Sequence, residues 1–424
     1  MRRASLAFLY CLACTSTLNA QSDAQTRKQE LEERRNQEGG VYGEDELTKV
    51  EQGLIWADEH KVLERLTRGF AGVRVVFGNL MPSSGFGLGP EYYRNELKDG
   101  AIQFRTSVRA STGKSMFADA ELSFPKLLNR NAYVDLYTRW RNNPRVSYYG
   151  PGPDSKKSGR TAFRLEDAAY DVNAGLTPVP RVRLGVAAGY LQTNVGPSDD
   201  PRYASAETVY SPANVPGLDR QSSFLRGGVV ASYDWRDHPG GARYGGFYEA
   251  RFDYYKDQDA ELFSHRRLTL EAQQYIPFAN RRRVIALRAK TLLTYANPGQ
   301  VVPFYMQPLL GGQNDLRGFR FGRFYDNNVL VLNGEYRWEI FTGLDGALFY
   351  DAGKVFSRRS QLNFHDLEGA AGFGFRVNAR NSVFLRLDVG FSHEGFQLWF
   401  SFNDVFGNSG GVTQSLYGSR YLPQ

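Results

Sequence analysis

Apolar and polar side chains alternate along this chain from about residue 70 onward, and this period of two constrains the fold more than any other feature. The stretch 329–340 shows an apolar set and a polar set at alternate positions: Leu330, Leu332, Tyr336, Trp338 and Ile340 against Asn333, Glu335, Arg337 and Glu339. Such alternation predicts β-strands that are apolar on one face only. In a transmembrane β-barrel, the apolar face meets lipid and the polar face lines a wet lumen. A water-soluble sandwich or barrel with the same period would reverse that arrangement.

The hydropathy of the chain excludes a helical membrane protein. A helix needs about 20 consecutive apolar residues to cross a bilayer, and no such run follows the N-terminal segment. The mean hydropathy is −0.46, although aromatic residues make up 14% of the chain. A polar average with many strand-forming aromatics fits a membrane barrel, because only alternate residues face lipid.

The alternating stretches define about sixteen candidate strands, an even number that is typical of bacterial barrels. Their approximate bounds are 70–78, 84–93, 100–110, 115–125, 130–141, 162–176, 181–193, 222–236, 243–256, 262–276, 283–296, 327–341, 344–356, 368–379, 382–392 and 395–403. The long connections all follow odd-numbered strands, and they are 142–161, 191–221 and 297–326. Connections after even strands are short, as at 342–343. Outer-membrane barrels have long outer loops and short periplasmic turns, so this parity predicts an all-β, 16-stranded antiparallel transmembrane β-barrel over 69–406, with a short N-terminal helical segment.

The N-terminus is predicted to be a signal peptide over residues 1–20. Arg2 and Arg3 form its basic region, an apolar core follows, and Ala20 ends a plausible cleavage site. The alternatives are a buried helix and a lipoprotein signal ending at Cys14. Cleavage after Ala20 would remove both cysteines, Cys11 and Cys14, which suits an oxidising compartment without a disulfide scaffold. The prediction therefore places the protein in the bacterial outer membrane, in contact with outer-membrane lipid.

Three further segments flank the predicted barrel. Residues 21–44 are expected to be a polar flexible lead, and 45–68 an amphipathic helix, because Leu47, Val50 and Leu54 recur at helical spacing. That helix is either periplasmic or a plug inside the lumen. Residues 407–424 form a C-terminal extension.

The motifs in the sequence predict no enzyme activity, no cofactor and no metal site. The five histidines lack metal-ligand spacing with other His, Cys or acidic clusters. The chain contains neither a G-x-S-x-G elbow nor a phosphate-binding glycine loop. His393 beside Ser392 is the one hint of an outer-membrane lipid hydrolase. Charges are dispersed along the alternating segments, so no nucleic-acid partner is expected.

Several motifs carry a resemblance to a known family. The loop before strand 327–341 contains Leu316-Arg317-Gly318-Phe319, and strand 344–356 contains Phe349-Tyr350-Asp351-Ala352-Gly353. A turn at Asp234-Trp235-Arg236-Asp237 and an aromatic final strand accompany them. In these features, over about 70–406, the chain resembles the BamA/TamA-like bacterial surface antigen superfamily, which includes the two-partner secretion transporters. Such loop and strand motifs at their expected places are more specific than either motif alone.

The resemblance implies a barrel that inserts, assembles or translocates proteins without catalytic residues. Its clients would be unfolded outer-membrane or secreted proteins. Its first and last strands would pair weakly and open laterally, and the residues of that seam would be Gly72, Gly78, Gly395, Phe400 and Phe402. Only about 50 residues precede the first strand here, which is too few for the family's periplasmic POTRA domains. A separate periplasmic subunit is one possible replacement for these domains. A passive diffusion channel on the same scaffold is the alternative function.

The two motifs predict a contact inside the lumen. The long loop is expected to fold back, with Gly318 allowing close approach of the backbone. Arg317 would then meet Asp351 and Glu335 on the lumen wall, because a guanidinium presents a planar fork to carboxylates. Phe319 would pack against the same wall. Losing one partner would cost about 3–5 kcal/mol if the contact is dry, and about 0–1 kcal/mol if it is wet.

Overall fold

The computed structural model describes residues 71–79, 84–341, 343–379, 382–402 and 404–406 of the 424-residue chain. The predicted signal peptide (1–20), polar lead (21–44), amphipathic helix (45–68) and C-terminal extension (407–424) lie outside these residues and stay predictions. No helix within the described part of the chain is long and apolar enough to cross a membrane.

Sixteen antiparallel strands form one sheet, which confirms the predicted fold class. In chain order they are β1 Val73–Asn79, β2 Phe86–Leu97, β3 Ile102–Ser111, β4 Met116–Leu127, β5 Ala132–Tyr148, β6 Thr161–Leu176, β7 Val182–Pro197, β8 Phe224–Asp234, β9 Gly245–Asp257, β10 His265–Phe278, β11 Arg283–Ala296, β12 Asn328–Phe341, β13 Leu344–Phe356, β14 Glu368–Ala379, β15 Ser382–Ser392 and β16 Gly395–Ser401. Each strand pairs with its neighbours in sequence, so the chain runs up and down without crossovers. An up-and-down meander of this kind is the topology of outer-membrane barrels.

The strands have an outer, lipid-facing side and an inner side, as the alternation predicts. On β13, Leu348 and Tyr350 are 52% and 60% exposed, whereas Phe349 and Asp351 beside them are buried. Apolar side chains on the outside and a carboxylate inside are what a barrel in lipid requires. A water-soluble barrel would need the opposite.

Some strands continue further than the alternation predicts, and two of them reach into the outer end of the barrel. β5 runs to Tyr148 instead of ending near residue 141, and β7 runs to Pro197 instead of residue 193. Within β5 the register shifts between Asn143 and Val146, at the position of Pro144. Proline has no N–H to donate to a ladder, and the bulge lets the strand continue past it.

One even-numbered connection is longer than the short turns expected there. It covers 235–244 and includes all of the Asp234-Trp235-Arg236-Asp237 turn except Asp234, which is the last residue of β8. Arg236 donates to Asp234 at 2.9 Å, and Asp237 accepts the backbone N–H of Arg243 at 3.0 Å. These local hydrogen bonds give the connection an ordered structure that hydrophobic periodicity does not reveal.

The long connections pack together as an apolar cap at the outer end of the barrel. The cap joins strand ends with the connections 198–223, 258–264 and 297–327, and its buried aromatic members include Tyr148, Phe163, Phe304 and Tyr325. Backbone hydrogen bonds tie the connections to each other, from Gly152 to Tyr325 at 2.7 Å and from Phe304 to Pro216 at 2.9 Å. The short elements of the outer connections are the 3-10 helices Lys157–Gly159, Phe304–Met306 and Arg359–Gln361, the helix α1 Ala206–Val209, and a ladder between Leu309–Leu310 and Phe324–Tyr325.

The two edges of the sheet, β1 and β16, meet at a seam. They lie in contact, but within the described residues no backbone ladder joins them. Phe402, directly after β16, lies 6.5 Å from Phe86 of β2, measured between ring centroids. The sheet is therefore wrapped until its edges touch, and the described residues of the seam lack the hydrogen-bonded register of the other strand pairs.

Candidate functional site

The connection 297–327, called here the lumen loop, carries the 316–319 motif against the inner wall of the barrel. Leu316, Arg317 and Phe319 are all fully buried. Leu316 and Phe319 belong to an apolar cluster with inward-facing residues of β12 and β13, and the Phe319 ring lies 5.5 Å from that of Phe324. The apolar residues of the motif anchor the loop, and Arg317 is placed among carboxylates.

Arg317 is bound by the two carboxylates that the sequence singles out. Its Nε and Nη2 donate to the two oxygens of Asp351, at 2.8 Å and 2.7 Å. Its Nη1 donates to Glu335, and its backbone N–H donates to Asp351 at 3.1 Å. Although burial opposes the charge of this loop residue, Asp351 and Glu335 hold the pKa of Arg317 well above its usual value. The guanidinium is therefore charged at neutral pH.

Arg317 is part of a larger buried ion network, called here the central network. The network consists of four arginines and four acids, each at most 5% exposed: Arg317, Arg337, Arg376 and Arg386 with Glu335, Asp351, Asp388 and Asp404. Arg376 bridges Glu335 at 2.9 Å and Asp388 at 2.6 Å, and Arg337 joins Glu335 to Asp404. The formal charges balance, which is what buried ionic groups require.

The remaining residues of the two motifs hold the guanidinium and the loop in place. The ring of Phe349 lies under the Arg317 guanidinium, 3.4 Å from the ring centroid, in cation–π geometry. A Cβ on Gly318 would lie 2.7 Å from the Phe391 carbonyl oxygen and 2.8 Å from the Ala370 Cβ. Glycine is therefore required at 318 for the loop to lie this close to β14 and β15. Gly353 of β13 similarly faces a Leu330 carbonyl oxygen.

The predicted seam residues are distributed over both edges of the sheet. Gly72 lies in the turn before β1 with a φ of +85°, and Gly78 lies in β1, paired with Gly87. Gly395 begins β16 with a φ of +114°, and Phe400 faces lipid at 53% exposure. Phe402 packs against the rings of Phe86 and Phe384. The structure brings none of these residues to the Arg317 site.

One link between the Arg317 site and the seam was missed by the sequence reasoning. Trp399 of β16 points inward, and its indole Nε1 donates to the Arg317 carbonyl oxygen at 2.7 Å. Ser392 at the end of β15 donates to the Gly318 carbonyl oxygen at 2.8 Å. The lumen loop is thus bound to every strand from β12 to β16. An aromatic residue on the polar face of the last strand was the signal that could have identified Trp399.

Asp404 is another member of the site that the sequence did not predict. After β16 the chain turns inward, and Asp404 pairs with Arg337 of β12 at 2.9 Å. Phe406 packs against Tyr275 at 6.2 Å between ring centroids, and its carbonyl oxygen accepts from Gln273 at 2.9 Å. Contacts between residues this distant in sequence have no periodic signal.

The one sequence hint of a hydrolase is not brought together as a catalytic pair. The hydroxyl of Ser392 is engaged by Gly318, as described above. The His393 ring is largely exposed and lies 3.4 Å from Glu368. Ser392 therefore fastens the lumen loop, and His393 takes part in a surface contact.

Comparison with known proteins adds family and fold to this geometry. Residues 112–403 match the Omp85 superfamily domain. BamA from Haemophilus ducreyi, solved without POTRA domains 1–3, superposes with a TM-score of 0.57 at 14% identity, covering 78% of this chain and 70% of that one. CdiB from Escherichia coli superposes with a TM-score of 0.51 at 13% identity, covering 77% of this chain and 61% of that one. No curated protein matches the sequence. The family match spans more than half of the chain, and the chain therefore belongs to the Omp85 superfamily of bacterial outer-membrane β-barrels.

Proposed function

We propose that this barrel assists the insertion or translocation of proteins at the outer membrane by opening its seam. The observation that carries the proposal is the seam itself, where β1 and β16 touch without a backbone ladder among the described residues. An unpaired strand edge can pair with an incoming strand. In lipid such an edge is costly, so a client strand that pairs with it is stabilised.

The lumen loop supports this role because it braces one side of the seam. Through Asp351, Asp388 and Trp399, Arg317 is bound to three of the last four strands. The last strand is therefore held from inside the barrel in a defined position. On the other side, the backbone ladder of β1 is formed with β2. This asymmetry suits a seam in which β1 separates while β16 keeps its register.

The same contacts argue against the alternative of a passive diffusion channel. A channel needs a continuous wet path, whereas buried apolar residues of the outer connections pack together at the outer end of this barrel. The central network binds lumen-loop residues across the interior, as in the hydrogen bond from Arg386 to the Asn314 side chain at 2.9 Å. A simple pore does not require this buried ion network.

The test is a folding assay in liposomes that contain the mature protein. A urea-denatured outer-membrane barrel is added, and its conversion to the heat-modifiable folded form is followed on gels. We expect faster conversion than in empty liposomes, and a loss of most of that gain in Arg317→Lys, since lysine cannot reproduce the two-oxygen contact with Asp351. Arg202→Ala, which removes an exposed outer-loop arginine, is the control. No acceleration, in vesicles shown to contain the folded protein, would favour the channel.

A further inference from the structure

Three cations lie on the outside of the barrel at its outer end. Lys256 and Arg266 are exposed near the outer ends of β9 and β10, on the side that also carries lipid-facing residues such as Phe252. Arg359 is exposed in the 3-10 helix of the connection 357–367. We call these three residues the outer cations. They lie next to the long outer loops, at the level where a barrel wall passes from the apolar region into the headgroup region.

Tyrosine rings lie beside two of the outer cations, Arg266 and Arg359. Arg266 is paired in register with Tyr254 on one side and Tyr295 on the other. Its guanidinium carbon lies 5.9 Å from the Tyr254 ring centroid, and that of Arg359 lies 4.4 Å from the Tyr295 ring centroid. Rings of this kind mark the interfacial girdle of a membrane barrel. The two guanidinium groups are therefore held near each other at the membrane surface.

Within the described part of the chain the outer cations have no acidic partners, in contrast to the four arginines of the central network. Among the described residues, no carboxylate forms an ion pair with Lys256, Arg266 or Arg359, whereas all four arginines of the central network are paired. Unpaired cations on a lipid-facing wall are costly at mid-membrane, and the cost disappears near the interface. Anionic headgroups at the interface supply the missing charge.

The connection 357–367 lies along the outside of the barrel and adds an apolar tip. Lys354 of β13 points outward but is only 7% exposed, because its Nζ donates to Asn363 Oδ1 at 2.5 Å and to the His365 carbonyl oxygen at 3.1 Å. Leu367 packs on the outward cluster formed around Leu330. The tip of the connection then exposes two apolar side chains, Leu362 at 43% and Phe364 at 74%.

We propose that the outer cations and the tip of 357–367 form a binding site for anionic lipid headgroups that carry phosphomonoesters, in the outward-facing leaflet. Lys256, Arg266 and Arg359 bind the phosphate oxygens: the two guanidinium groups do so with two parallel N–H donors each, and the Lys256 ammonium does so as a point charge. Leu362 and Phe364 enter the acyl region beside the bound headgroup, an arrangement typical of interfacial anchors. A free phosphate ion would use the cations but not the apolar tip, so the lipid is the ligand favoured by the structure. The site is independent of the proposed function.

The test measures how much a lipid stabilises the folded barrel. Wild-type protein is placed in phosphatidylcholine nanodiscs with or without a glucosamine-based lipid that carries phosphomonoesters, and melting is followed by heat modifiability. A ligand that binds only the folded state raises the melting temperature. We expect the phosphorylated lipid to raise it by several degrees, and its dephosphorylated form or added inorganic phosphate to have little effect.

Variants locate the site. K256Q/R266Q/R359Q should lose most of the rise, and L362S/F364S should reduce it. The matched control K98Q/R130Q/R283Q removes one lysine and two arginines that are exposed at the opposite end of the barrel, and it should keep the rise. Single substitutions are measured as well, in case the triple variant does not fold. The proposal is wrong if the triple variant keeps the full rise, if the control loses as much, or if inorganic phosphate or the dephosphorylated lipid acts as strongly.

Discussion

At the scale of single residues, Arg317 connects the lumen loop to the inner wall of the barrel. Its guanidinium binds Asp351 and Glu335 and lies over the ring of Phe349. The backbone of its loop contacts β14, β15 and β16. Each of these groups is buried, so the contact belongs to the dry regime of ion pairing. In that regime, removing one partner leaves a buried charge uncompensated.

Arg317→Ala should therefore lower the free energy of unfolding by about 3–5 kcal/mol, as expected when a buried ion pair loses one partner. Arg317→Lys should recover only part of this loss, because an ammonium cannot contact both oxygens of Asp351 in one plane. Arg202→Ala, which removes a guanidinium on a 65% exposed side chain beside the buried Asp200, should cost about 0–1 kcal/mol. Urea unfolding in vesicles, followed by heat modifiability, measures all three. Equal midpoints for Arg317→Ala and Arg202→Ala would show that the Arg317 contact is solvated.

The sequence predicted two direct partners of Arg317 but neither its contact with Asp388 at 3.4 Å nor its wider setting. Asp351 and Glu335 stood out because they face inward within motifs or alternating strands. Trp399 and Asp404 were missed. Trp399 joins the last strand to the lumen loop, and Asp404 joins the segment after that strand to β12. Such contacts depend on the curvature of the sheet, which no local pattern encodes.

At the scale of elements, strand identity follows from the period of two, and loop structure does not. All sixteen strands were predicted because apolar and polar side chains alternate along them. The continuation of β5 past Pro144 was missed because it depends on pairing with β6. The apolar cap was missed because its residues come from three connections without periodicity, and their packing is set by the strand ends that carry them.

Asp326 makes the stability of the lumen loop dependent on pH. Burial at the end of the loop raises the pKa of this carboxyl above its ordinary value. The folded loop therefore binds the proton more tightly than the unfolded chain does, so its stability is greatest below the ordinary carboxyl pKa and falls as the pH rises through the folded value. Asp326→Asn removes this ionisation, so it should protect the loop at neutral pH and make little difference in acid.

Hydrogen exchange of peptides from 297–327, compared between wild type and Asp326→Asn at the same pH, measures this effect. We expect slower exchange in the variant than in wild type at neutral pH. The difference in exchange rate should disappear near pH 4, the range where unperturbed carboxyls titrate. Identical exchange at neutral pH would mean that the carboxylate is solvated and that its burial has no energetic consequence.

At the scale of the whole molecule, the barrel is held unequally on the two sides of its seam. β16 is attached to the interior by Trp399, and the segment after it is attached by Asp404 and Phe406. The backbone ladder of β1 is formed with β2, and the described residues show none between β1 and β16. This inequality is the structural basis for expecting the seam to open on the β1 side.

The central claim is tested most directly by locking the seam. One cysteine is placed in β1 and one in β16, in pairs whose Cα atoms lie within the range of about 4.4–6.8 Å that a disulfide allows. The only native cysteines, Cys11 and Cys14, fall in the predicted signal peptide, so no other thiol competes in the mature chain. The oxidised and reduced forms are then compared in the liposome folding assay, with each single-cysteine variant as a control. We predict that the oxidised double variant no longer accelerates folding and that reduction restores the activity. Equal acceleration before and after reduction, with the disulfide shown to be formed, would contradict an opening seam.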